Sequence, residues 1–327
     1  MEAGQERAAF LRPLFEFIRK PTYDFAVAKG GIQSKLWAVF RIWCFSFIIA
    51  VMAGILILIV TRLVGFSVTQ NLLFEMFAKM PVLEIIFLAF IWAPITEEIT
   101  FRMWLRFSPF KLGFSLAFVL LLLIKITINI VGNTADFVPK ELFGNTSFLG
   151  AASTAGFVLF FGLLFSLLFK KKLKVEKVKS FYSKNFTSLF FLSATAFALM
   201  HLFNYPSLSE NWFLAPLLVV SQFISGFFLG FVRMRYGLQW AMTYHSIFNI
   251  AAATPILLIK SISAETLEVI KSRNTGEVMQ LPLGQIIAIL AAFCIILLLF
   301  LVAFVVSVYL LWEFFKKNKA AKAIKNI

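Results

Sequence analysis

Glu97 and Glu98 stand side by side, and Arg102 follows one helical turn later, inside an otherwise apolar stretch. An ionised side chain in lipid costs on the order of 2.5–3.5 kcal/mol, so such groups face a bundle interior or a wet cavity. On a helix, Glu98 and Arg102 are i,i+4 and share a face, with the acid N-terminal to the base, the favoured order for pairing. Glu97 is turned about 100° from Glu98. Arg102 can therefore neutralise Glu98 while Glu97 points elsewhere, which separates a supporting carboxylate from a chemically free one. The plainer reading is one buried ion cluster that only fixes the bundle.

The chain's 2 histidines, His201 and His245, both fall in apolar stretches. Imidazole suits proton transfer near neutral pH and is also a common metal ligand. Alone in a membrane helix, a histidine is ordinarily an interhelical hydrogen bond. Here each has a partner one turn away. Phe197 precedes His201 by four residues, and Asn249 follows His245 by four, so imidazole and amide share a face and both can donate into one cavity.

The elements that would position these groups follow from composition. Of 327 residues, 61% are hydrophobic and only 14% charged, against about 25% charged in soluble proteins. Several apolar runs pass the ~18 residues that mark a spanning helix. Backbone satisfaction in lipid leaves helices as the spanning element. The expected fold is all-α: a membrane helix bundle with eight spans, at 37–60, 82–106, 112–131, 148–169, 186–203, 212–232, 238–260 and 284–312. Residues 1–36 read as a cytoplasmic N-terminal segment, amphipathic around Phe10–Ile18, 37–312 as the membrane domain and 313–327 as a basic cytoplasmic tail. The charged start lacks the features of a cleavable signal peptide. Cys44 and Cys294 lie in apolar spans and offer neither a cysteine-based zinc cluster nor a disulfide framework.

The net charge of +15 has a topological explanation. Loops on one side, with both termini, carry 23 Lys and Arg, and the opposite loops carry six. Basic loops mark the cytoplasmic side, so both termini are expected there. Acidic lipid headgroups are the expected counterpart, not nucleic acid. From that side, Glu97 lies roughly 14 Å deep, His245 roughly 15 Å and His201 roughly 22 Å at 1.5 Å per residue. The three can meet in a cavity opening to the cytoplasmic side. Gly226-x-x-x-Gly230 reads as a face for close helix packing.

Glu97-Glu98-x-x-x-Arg102, then Phe197-x-x-x-His201, then His245-x-x-x-Asn249, in that order on membrane helices, resembles the CPBP intramembrane proteases. This family includes the type II CAAX prenyl endopeptidases and bacteriocin-processing and immunity proteins. Phe101 before Arg102 and Pro94 ahead of the glutamates also resemble it. The separation of the first two motifs departs from the family pattern by two extra spans, 112–131 and 148–169. The resemblance implies hydrolysis of a peptide bond in a membrane-associated or lipidated, CAAX-like substrate. Glu97 with His201 would hold and deprotonate a water. His245 and Asn249 would donate to the oxyanion, with Glu98, Arg102 and Phe197 in support. Alternatively Glu97, His201 and His245 would bind Zn²⁺. The cofactor expectation is thus none or zinc. The competing class is a non-enzymatic immunity or scaffold protein, or a small-solute transporter, although inverted repeats are not evident. The Phe-, Ile- and Lys-rich composition suggests a bacterial plasma membrane.

Overall fold

The computed structural model describes residues 11–65, 76–77, 80–132, 148–205, 212–262 and 283–325. Helices account for nearly all of them. A short α1 (Leu11–Arg19) precedes the long α2 (Ile32–Leu63). The glutamate segment is α3 (Val82–Phe87), a π-helical turn (Leu88–Trp92), α4 (Ala93–Phe101) and a 3₁₀ turn (Met103–Leu105). Then come α5 (Pro109–Gly132), α6 (Phe148–Leu168) and α7 (Lys172–Met200), which ends in a 3₁₀ turn (His201–Asn204). A 3₁₀ turn (Trp212–Leu214) and α8 (Ala215–Leu218) lead into α9 (Val220–Arg235), α10 (Leu238–Ile262) and α11 (Leu283–Lys325).

The eight expected spans all fall on helices. Among the described residues, five stretches are long and apolar enough to cross a membrane: Ile32–Leu63, Pro109–Thr127, Lys174–Asn204, Trp212–Arg235 and Ile289–Lys316.

One boundary differs from expectation, and both terminal segments contain helix. The basic stretch 170–185 is not a loop, since α7 starts at Lys172. Val175, Val178, Tyr182 and Phe186 recur at helical spacing among the lysines, which gives the stretch an apolar stripe. Tyr182 and Phe186 are buried. The basic tail continues α11 to Lys325. The N-terminal segment is also not separate from the bundle. Leu11, Leu14 and Phe17 on one face of α1 join the main core. The chain after α1 is laced to the middle of α7, to the end of the glutamate segment and to the end of α9. Thr187 Oγ1 donates to Pro21 O (2.9 Å), Arg106 Nη2 to Phe25 O (2.9 Å), and Arg235 Nη1 to Ala26 O (2.7 Å).

The interruption at Leu88–Trp92 has a covalent cause. Pro94 has no N–H to give Phe90 O four residues back, and its ring crowds that carbonyl. The π turn relieves this, and side chains of α10 take up the carbonyls. Ser246 Oγ donates to Phe90 O at 2.7 Å and Asn249 Nδ2 to Ala89 O at 2.8 Å.

α9 packs on α7 through its glycines. A Cβ on Gly230 would lie 2.5 Å from Phe190 Cε2, and one on Gly226 would lie 3.0 Å from both Phe197 Cδ1 and Arg102 Nη2. The Phe190 ring is itself held edge-on by Phe17 and Phe227. Gly230→Ala is therefore expected to destabilise the protein by about 1–3 kcal/mol, read as a lowered midpoint of thermal unfolding in detergent. Gly54→Ala, where a Cβ meets nothing within 4 Å, is the comparison. Equal midpoints would show that the two helices do not need this approach.

The two extra helices form a hairpin against α4. A Cβ on Gly113 of α5 would lie 2.7 Å from Gly162 O of α6, so the pair is in close contact. Ser115 Oγ of α5 donates to Ile99 O of α4 at 2.7 Å.

Candidate active site

α4 presents the carboxylates, and its C-terminal end is fixed by side chains from three other helices. A helix leaves its last carbonyls without intrahelical partners. Ser115 takes Ile99 O, Ser193 Oγ of α7 donates to Phe101 O at 2.6 Å, and Arg233 of α9 donates to Arg102 O (3.1 Å) and Met103 O (3.0 Å). Arg233 is itself buried, so this clamp lies inside the bundle. In the sequence, Arg233 is one of the 23 basic residues assigned to the cytoplasmic-side loops and termini. Its spacing from the Gly226-x-x-x-Gly230 face carried no signal of this role.

The expected pair forms. Arg102 Nη1 lies 3.1 Å from Glu98 Oε1, and both side chains are 0% exposed. The guanidinium carbon sits 3.8 Å from the centre of the Phe197 ring, close enough for a cation–π contact in a desolvated site. Phe197 also meets both imidazoles edge-on, at 4.7 Å from His201 and 5.7 Å from His245. It is the common wall of the site.

His245 comes from α10 to the glutamate doublet. Its Nδ1 is 3.0 Å from Glu98 Oε1 and its Nε2 is 3.8 Å from Glu97 Oε2. Glu98 thus serves two partners, Arg102 and His245. This extends the expected division between the carboxylates: Glu98 braces the helix and also orients the imidazole that faces Glu97. Glu97 keeps a 31% exposed side chain, although its Oε2 toward His245 is buried without a hydrogen-bond partner, so the doublet is one sealed and one partly exposed carboxylate. One residue earlier, the buried Tyr244 hydroxyl bonds Ser46 of α2, whose Oγ donates to Trp43 O (3.0 Å). That contact pins α10 beside the site.

His201 ends α7. Its Nδ1 donates to Phe197 O at 2.8 Å, because a carbonyl only accepts, and this leaves Nε2 with its lone pair. Glu97, His245 and Arg102 are its ionisable neighbours. Asn249, grouped with His245 in sequence, spends one amide hydrogen on Ala89 O. Its first duty is to tie α10 to the π turn, and one N–H remains.

Met103, Leu105 and Phe107 after α4 are buried. The exposed apolar neighbours of the site are Trp92 and Ile95 on the glutamate segment and Leu199 and Phe203 around His201.

A zinc ion was one expectation. Both histidines have Nδ1 tied to an oxygen, as the outward ring nitrogen of a zinc-binding histidine ordinarily is. Yet among the described residues no three His, Cys, Asp or Glu side chains converge as a metal-binding group.

Fold and site together define a polytopic helical membrane protein with a glutamate–histidine site at the meeting of α4, α7 and α10. The family described as Type II CAAX prenyl endopeptidase Rce1-like matches residues 79–251, just over half of the chain, and all seven motif residues lie within that range. The chain belongs to this family, within the CPBP intramembrane proteases, and is an integral multi-pass membrane protein. No curated protein and no solved structure matched.

Proposed function

We propose that the protein is an intramembrane endopeptidase that hydrolyses a peptide bond near the C-terminus of a lipidated, CAAX-like substrate. The observation that carries this reading is His245 held between two carboxylates, with Nδ1 on buried Glu98 and Nε2 toward partly exposed Glu97. Glu97 acts as the general base on water attacking the scissile carbonyl. His201, with Nδ1 committed to Phe197 O, offers Nε2 to the same water. His245, oriented by Glu98, exchanges a proton at Nε2 with the reacting groups, and the remaining Asn249 N–H is a candidate donor to the oxyanion. The tetrahedral intermediate collapses when the leaving amine takes the proton that Glu97 removed from water, which closes the proton balance.

The reading is metal-free and takes a eight-span topology with both termini cytoplasmic, in a bacterial plasma membrane, with lipids and the lipidated peptide as partners. Its test is mass spectrometry of the products from a prenylated peptide ending in Cys-aliphatic-aliphatic-X. The purified protein is expected to release the terminal tripeptide, and His201→Ala to lower the rate by at least a hundredfold. Elemental analysis of active, chelator-treated protein is expected to find no stoichiometric zinc. Stoichiometric zinc that tracks activity would replace the metal-free mechanism, and undiminished cleavage by His201→Ala would remove His201 from it.

A further inference from the structure

One polar group near the site has no place in the mechanism above. Gln222 sits in the first turn of α9, in Ser221-Gln222-x-x-Ser225-Gly226. Its Oε1 accepts from Ser221 Oγ at 2.8 Å. Its amide nitrogen bonds nothing among the described residues. Gln222 is half-buried, so its N–H donors are accessible to an incoming acceptor, and in an apolar setting they gain by finding one.

The helix register says where that amide stands. α9 runs antiparallel to α7. Gly230 meets Phe190, and Gly226, one turn earlier, meets Ala194 O (3.3 Å) and Phe197. Gln222 is one further turn back, on the same face as Gly226 and Gly230. One turn beyond Ala194 and Phe197 on α7 is the segment from Ala198 to His201. The same two glycines that let α9 approach α7 therefore carry Gln222 to the level of His201.

We propose that Gln222 is a substrate-binding residue of this site: its free carboxamide N–H groups donate to a backbone carbonyl of the peptide being cleaved. The proposal rests on the protease reading and adds to it a donor that holds the peptide strand beside His201. An extended peptide entering an apolar site brings carbonyls that must be satisfied there. Asn249 has committed one donor to Ala89 O, and Gln222 supplies two that are uncommitted. Ser221, bonded to the amide oxygen, orients them. In sequence, the signal was a polar pair at one-turn spacing from a Gly-x-x-x-Gly face, which packing alone does not require.

The test is steady-state cleavage of the prenylated Cys-aliphatic-aliphatic-X peptide by the full-length protein, with Gln222→Leu and Gln222→Met, and with Glu97→Gln in parallel. Loss of one neutral hydrogen bond is expected to raise KM about tenfold, with kcat changed less than about threefold. A second readout uses peptides carrying a thioamide, a weaker acceptor, at each bond flanking the scissile one. One thioamide is expected to raise KM for the unaltered protein but not for Gln222→Leu, a coupling that a merely structural glutamine would not produce. Two substitutions guard against one failing to fold. Folded Gln222→Leu or Gln222→Met with unchanged KM, while Glu97→Gln is inactive, overturns this proposal and leaves the protease reading standing. No cleavage by the unaltered protein overturns both.

Discussion

Glu97→Gln is expected to lower kcat/KM for the prenylated peptide by about 10²–10⁴-fold, the range for loss of a general base, while the protein still purifies as a monodisperse species with an unchanged unfolding midpoint. The physical case is the asymmetry of the doublet. Glu97 is 31% exposed, and its nearest partner is His245 Nε2 at 3.8 Å, beyond hydrogen-bonding distance. Gln is isosteric and keeps the packing, so what disappears is the proton acceptor. The loss should fall on kcat, because a base acts on the transition state more than on bound substrate. A Glu97→Gln protein that cleaves at an undiminished rate would refute the assignment. One that aggregates on extraction would show Glu97 to be part of the buried ion cluster instead.

Arg102→Leu should fail in the opposite way. Arg102 and Glu98 are both fully buried and paired at 3.1 Å. Removing one member of such a pair leaves an uncompensated charge, at a cost of about 3–5 kcal/mol. The guanidinium also gives up its seat on the Phe197 ring, the wall shared by both histidines. Arg102→Leu is therefore expected to lose most folded protein, measured by the unfolding midpoint and by recovery after detergent extraction. Replacing both charges, Glu98→Gln with Arg102→Leu, should recover a substantial part of that stability, since no isolated charge remains. The double variant should still cleave poorly. A neutral amide in place of Glu98 no longer holds His245 Nδ1 with a charge-assisted bond, so the imidazole loses its orientation toward Glu97. If the double variant is no more stable than Arg102→Leu, the pair is not the coupling that braces α4. If it regains full activity, Glu98 does not position His245.

These two outcomes would separate roles that adjacent residues hold through different parts of the molecule. Glu98 acts inward, on Arg102 and His245. Glu97 acts toward the accessible side. The clamp on the end of α4, built by Ser115, Ser193 and Arg233, keeps the two carboxylates in register with α10. The extra hairpin α5–α6 takes part through Ser115, so the inserted helices are structurally joined to the glutamate helix.

Much of this was legible before any coordinates. Composition decided for a membrane bundle, because runs of that length and apolarity have no other stable environment. The pairing of Glu98 with Arg102 follows from helix geometry alone. Residues four apart must be neighbours whatever the rest of the chain does. The motif order was equally local, and it led to the family that the match over residues 79–251 establishes.

What the tertiary structure alone decided concerns faces that meet across helices. Nothing local says that His245 reaches Glu98 through Nδ1, since that depends on how α10 crosses α4. Nothing local says that Asn249 spends a donor on Ala89 O. That carbonyl is available because Pro94 disrupts the ladder, and its acceptor role appears only when α10 is alongside. Arg233 reads as a loop charge until the end of α4 is seen to need donors. The lysines of 172–184 conceal a helix whose apolar stripe matters only once Tyr182 and Phe186 have a core to enter. The 3.6-residue period is a property of one chain segment. Crossing angle, register and the satisfaction of freed carbonyls are properties of pairs of segments, and only the packed bundle specifies them.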